Sequence, residues 1–168
     1  GSHVAYVSDQ SGNLDLWVKD LGETEAVNLT ENHQGEDTEP AWSPDGTKLV
    51  FRSDREGGGL FVTSLDSGPI IRISKFGSQP SWSPNGKQIA FTTLARLDRD
   101  NEVYIAEFSG GEPQKVLESY KGLAYGDVSW SPDGNWLFFI LARGSKSTIW
   151  AYSVKMRKKT EVLKGDFF

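Results

Sequence analysis

Apolar residues fall along this chain in short runs of strand length, separated by polar turns. Val4-Ala5-Tyr6-Val7, Leu16-Trp17-Val18, Leu49-Val50-Phe51, Leu60-Phe61-Val62, Ile89-Ala90-Phe91, Val103-Tyr104-Ile105-Ala106 and Leu137-Phe138-Phe139-Ile140 span three or four residues each. The turns between them are rich in Gly, Pro, Asp, Asn and Ser, the residues that end strands and build turns. No stretch keeps a helical period for more than two turns, so the pattern predicts an all-β chain.

One five-residue turn recurs through the pattern as Trp42-Ser43-Pro44-Asp45-Gly46, Trp82-Ser83-Pro84-Asn85-Gly86 and Trp130-Ser131-Pro132-Asp133-Gly134. Proline presets φ for the first central position of a type I turn, Asp or Asn suits the second, and Gly supplies the positive φ that closes a bulged hairpin. The tryptophans stand 40 and 48 residues apart, a period that signifies a propeller or solenoid array. Four short strands follow each other in every complete unit. In the second unit these are Pro40 to Ser43, Lys48 to Ser53, Leu60 to Ser64 and Ile70 to Ile73. In the third they are Pro80 to Ser83, Gln88 to Thr93, Val103 to Glu107 and Gln114 to Leu117. The fourth has Val128 to Ser131, Trp136 to Leu141, Thr148 to Ser153 and Thr160 to Leu163. The first has only Val4 to Ser8, Asp15 to Lys19 and Ala26 to Leu29, without an opening strand and turn.

Four antiparallel strands per unit at this period predict a β-propeller of four-stranded blades, about four blade equivalents in all. The expected blades are 4–38 (incomplete), 39–78, 79–125 and 126–168, with Gly1-Ser2-His3 set aside as a tag-cleavage remnant. Strands are termed A to D from the axis outward. Alternating direction puts the Trp-Ser-Pro-Asx-Gly and C-to-D turns at one end of each blade, and the B-to-C loops and D-to-next-A connections at the other. Loop length varies at the second end, where binding on a rigid scaffold is expected. The missing strand A leaves Val4 to Ser8 as an unpaired inner edge. This predicts excision from a larger propeller, a strained four-bladed ring, or a homodimer that completes a propeller.

Composition narrows the function. A length of 168 residues with 12% aromatics, 18 Gly, 7 Pro and one Met suits strands and turns. The net charge of −5, with both signs interspersed, gives no basic footprint for nucleic acid and no polybasic membrane patch. Lys155-Met156-Arg157-Lys158-Lys159 falls at an expected hairpin turn. Cysteine is absent, which removes disulfides and thiolate chemistry from the chain. No apolar run is long enough to span a membrane.

Pro40-Ala41-Trp42-Ser43-Pro44-Asp45-Gly46, then Leu49-Val50-Phe51-Arg52-Ser53-Asp54-Arg55 and Leu60-Phe61-Val62, resembles the WD40-like (PD40) repeat of the TolB family of bacterial β-propellers. The resemblance covers nearly all of residues 4 to 168. It implies a periplasmic or extracytoplasmic, non-catalytic scaffold for protein partners. In this family TolB contacts outer-membrane-associated lipoproteins, and similar blades form the propellers of prolyl-oligopeptidase-type proteases. The six blades and N-terminal α/β domain of TolB are not seen in this chain.

Catalysis is not expected. The histidines are His3 and His33, no Gly-x-Ser-x-Gly elbow occurs, and Glu36, Asp37 and Glu39 read as a solvated acidic loop. Asp98, Asp100 and Glu102 place oxygens at alternate positions, as does the Asp9 to Asp15 stretch, and calcium is the hard cation they would suit. Turn formation explains both more simply. Trp42, Trp82 and Trp130 are expected to pack between blades, Trp17 and Trp150 to occupy equivalent scaffold positions, and Trp136 to reach the surface. The expected partner-binding residues follow the loop topology and require a protein or peptide ligand. They are Glu36, Asp37 and Glu39 in the first connection, Asp54 and Arg55 in the next loop, Arg96, Asp98 and Arg99 in the third unit, Tyr120, Tyr125 and Asp127 in the long connection, and Arg143 in the last loop. A gating propeller of a peptidase and a self-assembling half-propeller are the alternative functions.

Overall fold

The computed structural model describes residues 1–66, 68–93, 102–117, 124–143 and 146–165. Four antiparallel sheets follow the chain in order. The first has three strands, β1 (His3–Ser8), β2 (Asp15–Asp20) and β3 (Ala26–Asn28). The second has β4 (Asp37–Trp42), β5 (Lys48–Ser53), β6 (Gly59–Ser64) and β7 (Ile71–Ser74), with a short 3-10 turn, Arg55–Gly57, between β5 and β6. The third has β8 (Ser78–Trp82), β9 (Gln88–Thr92), β10 (Val103–Glu107) and β11 (Gln114–Leu117), and the fourth has β12 (Ala124–Trp130), β13 (Trp136–Arg143), β14 (Lys146–Ser153) and β15 (Lys158–Gly165). Every sheet is a meander with sequential neighbours, the blade pattern expected from the repeat.

The recurring turn explains its own sequence. Ser43 N–H donates to Lys48 O at 2.9 Å, Gly46 N–H donates to Ser43 O at 2.9 Å, and Gly46 has φ 70°. The Ser43 hydroxyl donates to Asp45 Oδ1 at 2.6 Å and accepts from Lys48 N–H at 2.9 Å. Asp45 Oδ1 also accepts from Thr47 N–H at 3.0 Å. Ser83 and Asn85 repeat the arrangement, as do Ser131 and Asp133. Asn replaces Asp without loss because only its carbonyl oxygen is used.

Inner strands β4, β8 and β12 begin two to four residues before the sequence reading placed them. Pro40 and Pro80 looked like strand starts because proline cannot donate to a ladder. The structure instead absorbs Pro40 in a bulge. The register shifts between Thr38 and Ala41, and Glu39 takes φ 56° just before the proline. Gln79 takes φ 52° before Pro80, and β12 shifts register between Gly126 and Ser129.

Contacts divide the chain into residues 1–80 and 81–168. In the first unit, Leu16, Phe51 and Phe61 form a fully buried cluster with Val7 and Ile70 against it. The second unit packs Ala90, Val103, Leu137, Phe139 and Trp130 into one core, against which Trp150 is partly buried. Each large apolar side chain removed from water stabilises the fold by about 1.5–3 kcal/mol. Trp130 ends its strand buried and donates through Nε1 to Ser81 O at 3.1 Å, and Trp82 packs edge-on against Phe108. Trp136, expected at the surface, is half-buried.

Candidate partner-binding site

In the first unit the β1–β2 loop, the β3–β4 connection and the β5–β6 loop meet at one end of the sheets. Asp37 N–H donates to Leu14 O at 2.7 Å, and Asp54 N–H donates to Glu36 O at 3.2 Å. Asn13 Nδ2 lies 3.2 Å from His33 O and 2.6 Å from Gly35 O, so one amide secures the connection to the loop.

Asp15 anchors that amide from below. Its carboxylate is buried and accepts from Ser11 Oγ at 2.5 Å, Asn28 Nδ2 at 2.7 Å, Asn13 Nδ2 at 3.0 Å and Thr30 Oγ1 at 3.2 Å. Burial pushes its pKa up, but the hydrogen bonds from Ser11, Asn28, Thr30 and Asn13 together outweigh burial and hold it below the ordinary carboxylate value. Within the Asp9 to Asp15 stretch, Ser11 and Asn13 thus donate to Asp15, joined by Asn28 and Thr30 from beyond it.

Asp37 is the second anchor. Its side chain is 0% exposed, and Oδ2 accepts from Arg55 Nη2 at 2.7 Å. Arg55 Nε donates to Ser53 Oγ at 2.8 Å, and the guanidinium lies 5.3 Å from the Phe51 ring centre and 5.5 Å from that of Phe61. Aromatic platforms favour a guanidinium in this way. The His33 imidazole lies between two carboxylates, with Nδ1 3.4 Å from Asp37 Oδ2 and Nε2 3.4 Å from Asp54 Oδ1, and Nδ1 is buried without a hydrogen bond. Asp37 Oδ1 is buried without a hydrogen-bond partner.

The β5–β6 loop is also fixed from the β7 side. Arg72 donates to Glu56 O at 3.2 Å and to Gly58 O, and it stacks on Phe61 at 5.5 Å. Glu56, Gly57, Gly58 and Gly59 all have positive φ. What this framework presents to water is acidic. Glu31 and Glu36 are exposed, and the side chains of Asp54 and Glu56 are 58% and 68% exposed.

The expected partner-binding residues therefore divide. Glu36 and Asp54 stand exposed beside each other's backbone. Asp37 and Arg55 form a buried pair, which corrects the reading of Asp37 as part of a solvated cluster: strand β4 begins at Asp37 and carries its side chain inward. Glu39 is half-buried, and its Oε2 accepts from Gln79 N–H at 2.6 Å. Tyr125 and Asp127 belong to strand β12 and Arg143 ends β13, whereas the sequence put them in loops. Longer strands than expected account for the difference. Arg96, Asp98, Arg99, Asp100 and Tyr120 lie outside the described residues. Glu102, the remaining candidate calcium ligand, accepts from Tyr104 Oη at 2.7 Å and from Lys115 Nζ at 2.9 Å. Sequence reasoning missed His33 and Arg72 as site residues, and it took Asn13 and Asp15 only as members of an oxygen-rich stretch, not as an anchor of the connection. The Ser-Gly-Asn spacing before Asp15 was the available signal for two of them.

Comparison with known proteins agrees with this architecture. The family model described as the TolB beta propeller domain matches residues 1–167. The TolB homolog of Chlorobium chlorochromatii (strain CaD3) is 33% identical over 147 residues, 85% of this chain and 32% of that protein. The uncharacterized peptidase YuxL of Bacillus subtilis (strain 168) is 28% identical across 83% of this chain and 28% of its own length. The crystal structure of TolB from Acinetobacter baumannii superposes with a TM-score of 0.79 at 22% identity, covering 99% of this chain and 42% of that one. The chain spans about a third of the length of these two sequence relatives. With this repeat, these blades and a family match over almost every residue, the chain belongs to the TolB β-propeller family.

Proposed function

We propose that this chain is a non-catalytic propeller scaffold in an extracytoplasmic compartment, binding a protein or peptide partner at the end where the B-to-C loops and D-to-A connections meet. The observation that carries this reading is the contrast between buried and exposed charge there. Asp37 with Arg55 and Arg72 with the carbonyls of Glu56 and Gly58 brace the loops, while Glu36 and Asp54 face water and the exposed Glu56 carboxylate lies 3.5 Å from Arg72 Nη1. A preorganised acidic rim selects a partner with Lys or Arg at its contact surface and loses little entropy on binding. Similarity to TolB supports a protein ligand. By the order of connections in the sequence, Arg96, Asp98, Arg99, Tyr120, Tyr125, Asp127 and Arg143 are proposed as further contact residues.

Site-specific photo-crosslinking tests the face. A crosslinker at Glu36 or Glu56 is expected to trap an envelope protein, and one at Asp45 or Asp133 is not. Adducts confined to the Asp45 and Asp133 positions would reject the assignment. Similarity to YuxL favours a second reading, the gating propeller of a peptidase. A hydrolase segment with a nucleophile elbow in the same open reading frame would select it.

A further inference from the structure

The last stretch of the chain reverses the charge of the rest. After Gly134 there are seven Lys and Arg residues against two acidic ones, Glu161 and Asp166, whereas residues 1–133 hold 11 basic and 21 acidic residues. The overall charge of −5 conceals this reversal. Four of the seven cations fall in Lys155-Met156-Arg157-Lys158-Lys159, which carries the chain from β14 into β15.

The repeat supplies its own comparison. In each four-stranded sheet the first residue of this turn donates its N–H back to the residue ahead of the second strand: Leu65 to Thr47 O at 3.2 Å, Phe108 to Lys87 O at 2.8 Å and Val154 to Asn135 O at 3.0 Å. Counted from that bond, Lys155, Met156 and Arg157 stand where the second sheet has Asp66, Ser67 and Gly68 and the third has Ser109, Gly110 and Gly111. Arg157 takes φ 51° at the place where Gly111 takes φ 110°. A left-handed arginine costs conformational energy that glycine does not, so turn formation alone does not call for this sequence.

The turn is fixed and its side chains are outside. Arg157 N–H donates to Ser153 O at 2.8 Å, Met156 N–H donates to Ser153 Oγ at 3.2 Å, and Lys159 lies 5.6 Å from the Trp150 ring centre. Lys155, Met156, Arg157 and Lys158 are all exposed, Met156 at 64%. Among the described residues none of Lys155, Arg157 and Lys158 forms an ion pair. The adjoining turn adds one acidic residue, Asp133, to which Ser131 and Asn135 donate. Exposure here belongs to the turn itself: Ser109 to Glu112 of the third sheet are mostly exposed too, although the third and fourth sheets share one core.

We propose that the β14–β15 turn is a membrane-contact site, in which Lys155, Arg157 and Lys158 meet the headgroups of anionic phospholipids and Met156 enters the interface between them. The exposed methionine chooses a bilayer over a soluble polyanion. Among cations on a phosphate chain it gains nothing, whereas at headgroup level it leaves water. The acidic remainder of the chain does not forbid the contact, because charges more than about 10 Å from the surface are screened at 0.1 M salt.

The full chain is mixed with vesicles of phosphatidylglycerol and phosphatidylcholine in equal parts, and with vesicles of phosphatidylcholine alone. Co-sedimentation is expected with the first only, and it weakens as salt is raised. Each cation near an anionic surface is worth about fivefold in affinity, so Lys155→Gln, Arg157→Gly and Lys158→Gln together are expected to weaken binding about 100-fold. Glycine suits the left-handed position, so the triple variant keeps its fold. Because the chain has no cysteine, Met156→Cys places one environment-sensitive dye on the turn. Its emission is expected to shift to the blue on the anionic vesicles, and that of a dye at Ser109→Cys is not. Equal binding to both vesicles, a triple variant that binds like the parent, or an equal shift at both dye positions would each overturn the proposal. Binding to single-stranded DNA as tight as to the vesicles, without a dye shift at position 156, would replace the bilayer with a soluble polyanion.

Discussion

Arg55 Nη2 meets Asp37 Oδ2 at 2.7 Å, with the carboxylate 0% and the guanidinium side chain 14% exposed. The pair joins the loop after β5 to the first residue of β4. Removing one partner of such a pair leaves the other charge buried and uncompensated, at a cost of about 3–5 kcal/mol. Arg55→Ala is expected to lose stability on that scale by urea denaturation, and Asp37→Ala to lose a similar amount. The two losses should not add, because both variants break the same interaction. Additive losses would show that the pair is not coupled.

Two glycines at this end should respond oppositely to alanine. A Cβ on Gly59 would collide with the backbone carbonyl of Ser74, and φ there is +137°. Neither the sheet nor the dihedral can yield, so Gly59→Ala should cost about 2 kcal/mol or more. A Cβ on Gly35 would meet only the Asp54 carboxylate. That side chain is exposed and can rotate away, so Gly35→Ala should change stability by less than about 1 kcal/mol while breaking the His33–Asp54 contact. Thermal melts measure the first effect, and the chemical shifts of the His33 ring report the second.

The strands were legible because the turn carries its own chemistry. Ser43, Asp45 and Gly46 each satisfy a bond that the hairpin needs, so three copies set the phase of the three four-stranded blades. The anchors of the loop end were less legible. Arg55 and Asp37 are 18 positions apart and meet only once β5 has paired with β4, and the platform of Phe51 and Phe61 exists only once β5 faces β6. Asp15 was hidden differently. Asn13 and Ser11 supply either acceptors or donors, and the sequence does not say which atom of an amide or hydroxyl faces the carboxylate. Pro40 misled because a bulge at Glu39 lets a strand continue through a residue that cannot donate.

Asp15→Asn keeps the shape of the side chain and reverses its role at one atom. Four side chains donate to the carboxylate, and an amide would aim an N–H₂ group at donors already in place. The loss should be about 1.5–3 kcal/mol, the range for hydrogen bonds to a charged group. Faster amide exchange in the β1–β2 loop and the β3–β4 connection should accompany it. Unchanged exchange there would mean that the cluster does not hold the two segments together.

Acid should weaken the turns at Asp45 and Asp133 but leave the one at Asn85. Hydrogen bonds from the Ser43 hydroxyl and from the backbone and side chain of Thr47 hold Asp45 down to about 2. Ser131 and Asn135 do the same for Asp133, also to about 2. Both values lie below the ordinary 3.8, so the stability these groups contribute is full above pH 3.8 and is lost as pH falls through about 2. Asn85 makes the equivalent bonds with an oxygen that does not titrate in this range. The double variant Asp45→Asn, Asp133→Asn should therefore fold at neutral pH and show a flatter acid limb when urea midpoints are plotted against pH. Some slope should remain, because Asp15, Asp66 and Glu102 are also held low. An acid limb as steep as that of the parent would show that the turn carboxylates do not feel their hydrogen bonds in solution.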